Sequence, residues 1–255
     1  MIKPILLTLL YLTLTLDVNA RQKHFINSGT IEFERTANMF ALVKKKVTKN
    51  TQDIKPYYER YLTSEPQFRK LKSTLFFNSS KSLYVPVPPE RGLWHYYDTP
   101  MANQLNTVFS DFRGGNSVVQ KEFYERTYLV KDQMRKIKWK ITEEKRVIAG
   151  FRCRRANGLM LDSIYVVAFY TDEIHIPGGP ESFNGLPGMI LGVSVPHENV
   201  TWFATKVTEA PVIEAQLAVP VKGKVVNNKQ LFEEIWKAVA NYGDYAMVMV
   251  KGLLL

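Results

Sequence analysis

Residues 174–193 read IHIPGGPESFNGLPGMILGV, and the fold turns on how this stretch is read. Seven of the twelve residues in 177–188 are glycine or proline. Proline fixes φ and removes a backbone donor, whereas glycine opens positive φ that other residues avoid. A segment punctuated in this way follows a specified path, so it is an ordered turn system and not a flexible linker. Before it, residues 164–170 (IYVVAFY) are β-branched and aromatic; after it, residues 189–195 resume the apolar pattern. The stretch is a loop between two strands. Pro177, Gly178, Gly179, Pro180, Phe183, Gly185, Leu186, Pro187 and Gly188 make up this motif loop, read as architectural first and as a docking edge second. Gly185 and Gly188 bracket Leu186-Pro187, which suits a tight turn with proline second, glycine third or fourth, and Gly188 at positive φ. Glu181, on the polar part of the loop, is expected to tolerate alanine.

Outward from the loop the texture is mostly β. Residues 29–35 alternate, with Ile31 and Phe33 on one face and Glu32 and Glu34 on the other. Residues 73–77, 83–87, 93–97 and 104–112 are short, aromatic or β-branched runs, and 111–116 (DFRGGN) is a hairpin turn. Residues 117–130 form one long strand or a bent pair. Residues 137–141 and 146–154 follow, the latter pairing with 163–170 across Asn157-Gly158. Residues 189–195, 200–207 and 219–226 continue the sheet. Helical period appears at Met39, Leu42, Val43 and Val47 and again at Ile54, Tyr57, Tyr58, Tyr61 and Leu62, as one interrupted helix or two short ones. The clearest helix is 228–241, with a stripe of Leu231, Phe232, Ile235, Trp236 and Val239 and Gly243 beyond its end. The tail 246–255 is a last strand or a partner-facing peptide. Meander connections imply a mainly β (α+β) domain with a single antiparallel sheet.

Residues 1–20 are read as a secretory signal: Lys3, an apolar run over 5–16, and Val18-Asn19-Ala20 as a small-residue cleavage site before Arg21. The run is short for a bilayer span, so the mature chain is not an integral membrane protein. Residues 21–255 read as one β-rich domain without repeat or linker. The 34 Lys and Arg against 24 Asp and Glu give a net +10, unchanged when Lys3 and Asp17 leave with the signal. The basic clusters, Lys44 to Lys46 and Arg152, Arg154 and Arg155, are separate and carry no nucleic-acid motif, so no nucleic-acid partner is expected. Anionic lipid head groups are the more accessible counter-charge for an exported chain.

Chemistry-bearing motifs are sparse. Cys153 is the single cysteine, and strand alternation puts it on the face of Phe151, away from Arg152 and Arg154, as a buried small hydrophobe. His24, His95, His175 and His197 lack metal-site spacing, and Glu173 with His175 is the only local cluster on one strand face. There is no nucleophile elbow, P-loop or dinucleotide fingerprint, and no cofactor is expected.

The segments Trp139-Lys140-Ile141, 145–156 (KRVIAGFRCRRA), 168–174 (AFYTDEI), Gly179-Pro180, Phe183 and 185–191 (GLPGMIL) together resemble the GLPGLI family of bacterial envelope proteins. Two positions depart from its pattern: Glu181 stands where the family often has Trp, and Gly192 where it often has Glu. The resemblance implies secretion across the inner membrane, into the periplasm, the outer-membrane surface or the medium, and names no reaction or cofactor. By analogy with lipoprotein-carrier-like half-barrels, the sheet is expected to be curved, with an N-terminal helix or helices and a C-terminal helix. Two function classes follow. One is a non-enzymatic envelope module that binds a lipid or other apolar ligand, or an outer-membrane β-barrel or receptor protein. The other is a periplasmic hydrolase whose site is assembled only in three dimensions. A deep polar cleft with a histidine, an acid and a nucleophile would favour the hydrolase; an apolar groove favours the binder.

Overall fold

The computed structural model describes residues 25–49, 51–89, 99–161 and 163–255. The expected signal over 1–20, the strand at 93–97, His24 and His95 lie outside the described residues.

Clean alternation makes Gly29–Asn38 (β1) a strand buried on one face at Ile31, Phe33 and Ala37. Asn38 ends it and caps Met39–Lys44 (α1), its Oδ1 accepting from the Ala41 amide at 3.3 Å. A 3₁₀ turn at Gln52–Ile54 leads into Lys55–Ser64 (α2), where Pro56 sits in the first turn and only Tyr61 is buried. Phe68–Phe77 (β2) and Lys81–Pro86 (β3) are joined by a turn in which Asn78 Oδ1 accepts from the amides of Ser80 and Lys81. Next come Pro100–Asn103 (α3), Thr107–Asp111 (β4), Asn116–Phe123 (β5) and Arg126–Gln133 (β6). The 111–116 turn forms as read, with Asp111 Oδ1 accepting from the Arg113 and Gly114 amides, and 117–130 is the bent pair, broken at Tyr124-Glu125. Lys138–Ile148 (β7), Phe151–Met160 (β8), Ile164–Thr171 (β9), Met189–Val195 (β10), Val200–Glu209 (β11) and Lys224–Val226 (β12) complete the strands. Asn228–Val239 (α4) and Ala246–Leu254 (α5) close the chain.

The twelve strands among the described residues belong to one open sheet in the order β12-β6-β5-β4-β3-β2-β1-β11-β10-β9-β8-β7. Every neighbouring pair is antiparallel except β12 with β6, where Lys224, Val225 and Val226 lie parallel to Tyr128, Leu129 and Val130. The fold is mainly β with a C-terminal helix, as expected, but not antiparallel throughout. At the far edge, β7 exposes eight of its eleven residues, and Lys138, Lys140 and Lys145 make it a charged edge that resists further strand pairing. No helix among the described residues is long and apolar enough to cross a membrane.

Three readings change in detail. Residues 146–148 belong to β7, because the chain turns at Ala149-Gly150 (φ +48° and +87°), and β8 runs straight through Asn157-Gly158. The tail is neither strand nor projecting peptide. It is α5, whose Ala246, Met249, Val250 and Leu253 are buried in one cluster with Leu231, Ile235 and Val239 of α4 and with Tyr128 and Val130 of β6. Phe232 and Trp236, placed on the core stripe by period alone, are instead about 40% exposed and stack on each other with centroids 6.3 Å apart.

Cys153 is fully buried among Phe169, Val167 and Leu191, and burial pushes its thiol pKa up to about 12, with Glu173 adding to the shift. The thiolate is the reactive form. Labelling by a thiol reagent is therefore expected to be negligible in the native protein and fast in denaturant. Cys153→Ser should cost about 1–3 kcal/mol, the range for a hydroxyl buried without a good partner. Rapid native labelling would show the side chain to be accessible after all.

Candidate functional site

The register of four adjacent strands sets Val193, Trp202, Arg35 and Leu71 side by side on one face of the sheet. The motif loop lies over this face. Phe183 meets the Trp202 ring edge-on at 5.5 Å, and Leu186 joins the same core cluster. Trp139, on β7, donates from Nε1 to the Asn184 carbonyl at 2.9 Å. The loop is stitched down by main-chain bonds: Gly185 N to Pro177 O, Met189 N to Ile174 O and Ile190 N to Gly178 O. The Leu186-Pro187-Gly188 turn is tighter than a four-residue one, since the Gly188 amide donates to the Leu186 carbonyl at 2.8 Å. Gly188 has φ +153°, the positive value expected. Gly178, Gly179 and Pro180 are buried, while Gly185 and Pro187 face solvent.

A second turn in the loop carries the residue that the sequence reading undervalued. Phe183 N donates to Pro180 O at 3.1 Å, and Glu181 sits inside that turn with φ +50°. Its carboxyl is not on a solvated face; the residue is only 5% exposed. Asn106 Nδ2 donates to Glu181 Oε2 at 2.9 Å, and Gln104 Nε2 donates to Asn106 Oδ1 at 3.1 Å. Three cations from different parts of the sheet act on Glu181: Arg35 of β1, Lys121 of β5 and Arg135 just beyond β6. Burial raises the Glu181 pKa, and the cations and Asn106 pull it back.

The cations are held from the other side by main-chain carbonyls. Arg35 donates from Nη1 to Gln104 O at 2.7 Å and from Nη2 to Met101 O, and its guanidinium lies 5.0 Å from the Trp202 centroid. Lys121 Nζ donates to Leu253 O and Arg135 Nη2 to Leu254 O, each at 2.6 Å. Desolvation pulls Lys121 down to about 7 and Arg135 to about 10. A second buried acid, Glu198, pairs with Lys45 at 2.8 Å and with Lys251 of α5 at 3.6 Å. These groups clamp the motif loop, α1, α3 and α5 onto the sheet. Glu181 is too deeply buried for a substrate to reach it in this arrangement, so its role is positional.

On the other side of Gln104 and Leu253 lies a cavity of about 280 Å³. Its lining draws on Pro100, Leu105, Phe123 and Tyr124 and on Tyr242, Tyr245, Met249 and Leu253, with Lys46, Thr99, Asn103, Gln104 and Glu122 as its polar members. Tyr124 and Tyr242 meet through their hydroxyls at 3.2 Å. Ligand pockets are commonly apolar hollows of this order with a few convergent polar groups. Neither described histidine contributes: His175 is exposed and stacks on Phe25, and His197 is exposed near Tyr165. No group of three or more His, Cys, Asp or Glu suited to a metal ion occurs among the described residues. The sequence reading missed this cavity because four of its thirteen lining residues come from 242–253, whose helical spacing at Ala246, Met249, Val250 and Leu253 was the available signal.

The architecture is thus that of a mainly β domain with a charge-clamped loop beside an apolar cavity. Residues 158–192, which run from the end of β8 into β10 and include the whole motif loop, match a family model described as "Protein of unknown function (Porph_ging)". No curated protein matches the chain. Among solved structures the fold is similar to two crystal forms, described as "Structure of PNGF-II in P21 space group" and "Structure of PNGF-II in C2 space group". The TM-scores are 0.51 and 0.53 and the identities 14% and 12%; each similarity covers 84% of this chain but only 34% and 33% of the other. This chain spans about a third of the length of those proteins, and the likeness concerns the fold alone.

Proposed function

We propose that this chain is an exported, non-enzymatic envelope protein of the GLPGLI type that binds an apolar ligand in the cavity between the β5–β6 turn and α5. The observation that carries this reading is the lining: Leu105, Phe123, Tyr245, Met249 and Leu253 offer apolar surface from which an apolar ligand would release water. The match over 158–192 supports the family assignment through the loop that anchors the fold. The apolar cavity, with no histidine among its lining residues, favours the binder over the hydrolase.

The test is displacement of N-phenyl-1-naphthylamine, a neutral apolar fluorophore, from purified protein. Saturable binding is expected. Filling the cavity by Leu105→Trp or Met249→Trp should weaken it at least about tenfold, equivalent to roughly 1.4 kcal/mol. Far-UV circular dichroism separates lost binding from lost fold, and two variants at separate positions guard against overpacking at either one. Undiminished binding in both folded variants would place the ligand elsewhere.

A further inference from the structure

The cavity adjoins a second hollow of about 480 Å³, which is lined by Thr51, Ile54, Asn241 and Gly243 and shares Lys46, Tyr242 and Tyr245 with the first. Lys46 therefore stands on the wall common to both, its Nζ 5.8 Å from the Tyr245 ring centroid. Phe123, Met249 and Leu253 belong to the first hollow only; Thr51 and Asn241, with their hydroxyl and amide, belong to the second only. Lys46 is thus the charged residue that the two linings share. Glu122, the carboxylate among the lining residues of the first hollow, is not shared with the second. It also lines a third one, whose other charged residues are Glu125, Arg126, Glu234 and Lys237. Of the two charged residues in the first lining, Lys46 alone also lines the second hollow.

We propose that the ligand is a free single-chain amphiphile with an anionic head group, its chain between Phe123, Tyr245 and Met249 and its head group against Lys46. This rests on the reading that the cavity binds an apolar ligand. An ammonium carries three donors, so Lys46 takes a carboxylate in addition to the partners it already has. Contact with the Tyr245 face orients the cation through the ring quadrupole without using an acceptor. A cation in the lining of an apolar hollow discriminates by head-group charge, while the hollow itself contributes affinity for the chain.

The test compares three probes of equal chain length, dodecanoate, dodecanol and dodecyltrimethylammonium, each displacing N-phenyl-1-naphthylamine below its micellar concentration. Dodecanoate is expected to bind about tenfold tighter than dodecanol, the equivalent of roughly 1.4 kcal/mol, and the ammonium weakest. Lys46→Met should erase the preference for the acid over the alcohol, and Lys46→Glu should favour the ammonium. Equal affinity for acid and alcohol in the unmodified protein would overturn the head-group assignment and leave apolar binding standing. Retention of the preference in Lys46→Met would overturn it too, since attraction would then come from the overall charge. Failure of all three probes to displace a fluorophore that binds in the cavity would overturn the amphiphile assignment alone, whereas absence of fluorophore binding would overturn the apolar reading beneath it.

Discussion

Glu181→Ala is expected to destabilise the protein by about 3–5 kcal/mol, the usual cost of removing one partner from a buried ionic group. Arg35, Lys121 and Arg135 would keep their places under the sheet's cover without the carboxylate that faces them. Asn106 would lose its acceptor and leave a buried amide group unpaired. The offset is small: alanine is no better suited than glutamate to φ +50°, so no backbone strain is relieved. For a chain of this size each kcal/mol moves the melting temperature by about 2–4 °C, so a drop on the order of 10 °C is expected in a thermal melt. Urea titration should show a lower midpoint at unchanged slope. A midpoint shifted by less than the equivalent of about 1 kcal/mol would mean that the cations are balanced without Glu181. The expectation from sequence, a mild effect, rested on treating the loop's polar residue as solvated.

Gly188→Val should be at least as damaging. Here φ is +153°, and a Cβ built on Gly188 would lie 2.0 Å from the Thr171 carbonyl oxygen and 2.8 Å from its carbonyl carbon. Both atoms are main chain, so no rotamer change relieves the contact. Met189 is paired with Thr171 at the start of the β9–β10 ladder, and separating them dismantles the register that places Ile190 on its face. Strain at such a position alone costs about 1–3 kcal/mol, and the clash adds to it; loss of soluble, folded protein is the expected result. Gly185→Ala supplies the contrast. Its φ is +92°, but its added Cβ meets only Trp139, with Nε1 nearest at 3.7 Å, so the cost is the backbone term of about 1–2 kcal/mol. Equal melting temperatures for the two variants would mean that the Thr171 contact relaxes at little cost.

The sequence displayed its strands well and its connections less well, for identifiable reasons. Alternation in 29–35 and the DFRGGN turn were read correctly because local chemistry decides both. The turn at Ala149-Gly150 was missed because alanine gives no sign that it will adopt φ +48°. Asn157-Gly158 looks like a turn, yet Gly158 is small for another reason: a Cβ there would fall 2.6 Å from the Trp139 ring, which packs across it. Both motif-loop glycines bracketing Leu186-Pro187 were legible as backbone devices. Glu181 was not, because its three cations come from positions 35, 121 and 135, and nothing local announces their convergence. The cavity was hidden in the same way, since its lining draws on positions more than a hundred residues apart, at Phe123 and Tyr245.

The strand order has a consequence for how the chain becomes a protein. β1 through β6 pair with sequence neighbours, and so do β7 through β11, so two meanders can form from local contacts. What joins them is β1 with β11, in which Gly29 meets Glu209 and Ala37 meets Val200. During synthesis one side of β1 stays without its partner until almost the whole sheet has been made. Closing so distant a contact is slow, and an unsatisfied strand edge invites the wrong partner meanwhile. The seam between the meanders lies under Arg35 and Trp202, which face each other across it. The guanidinium can stack on the indole only once the last long strand has arrived, so this contact marks the moment at which two halves become one domain.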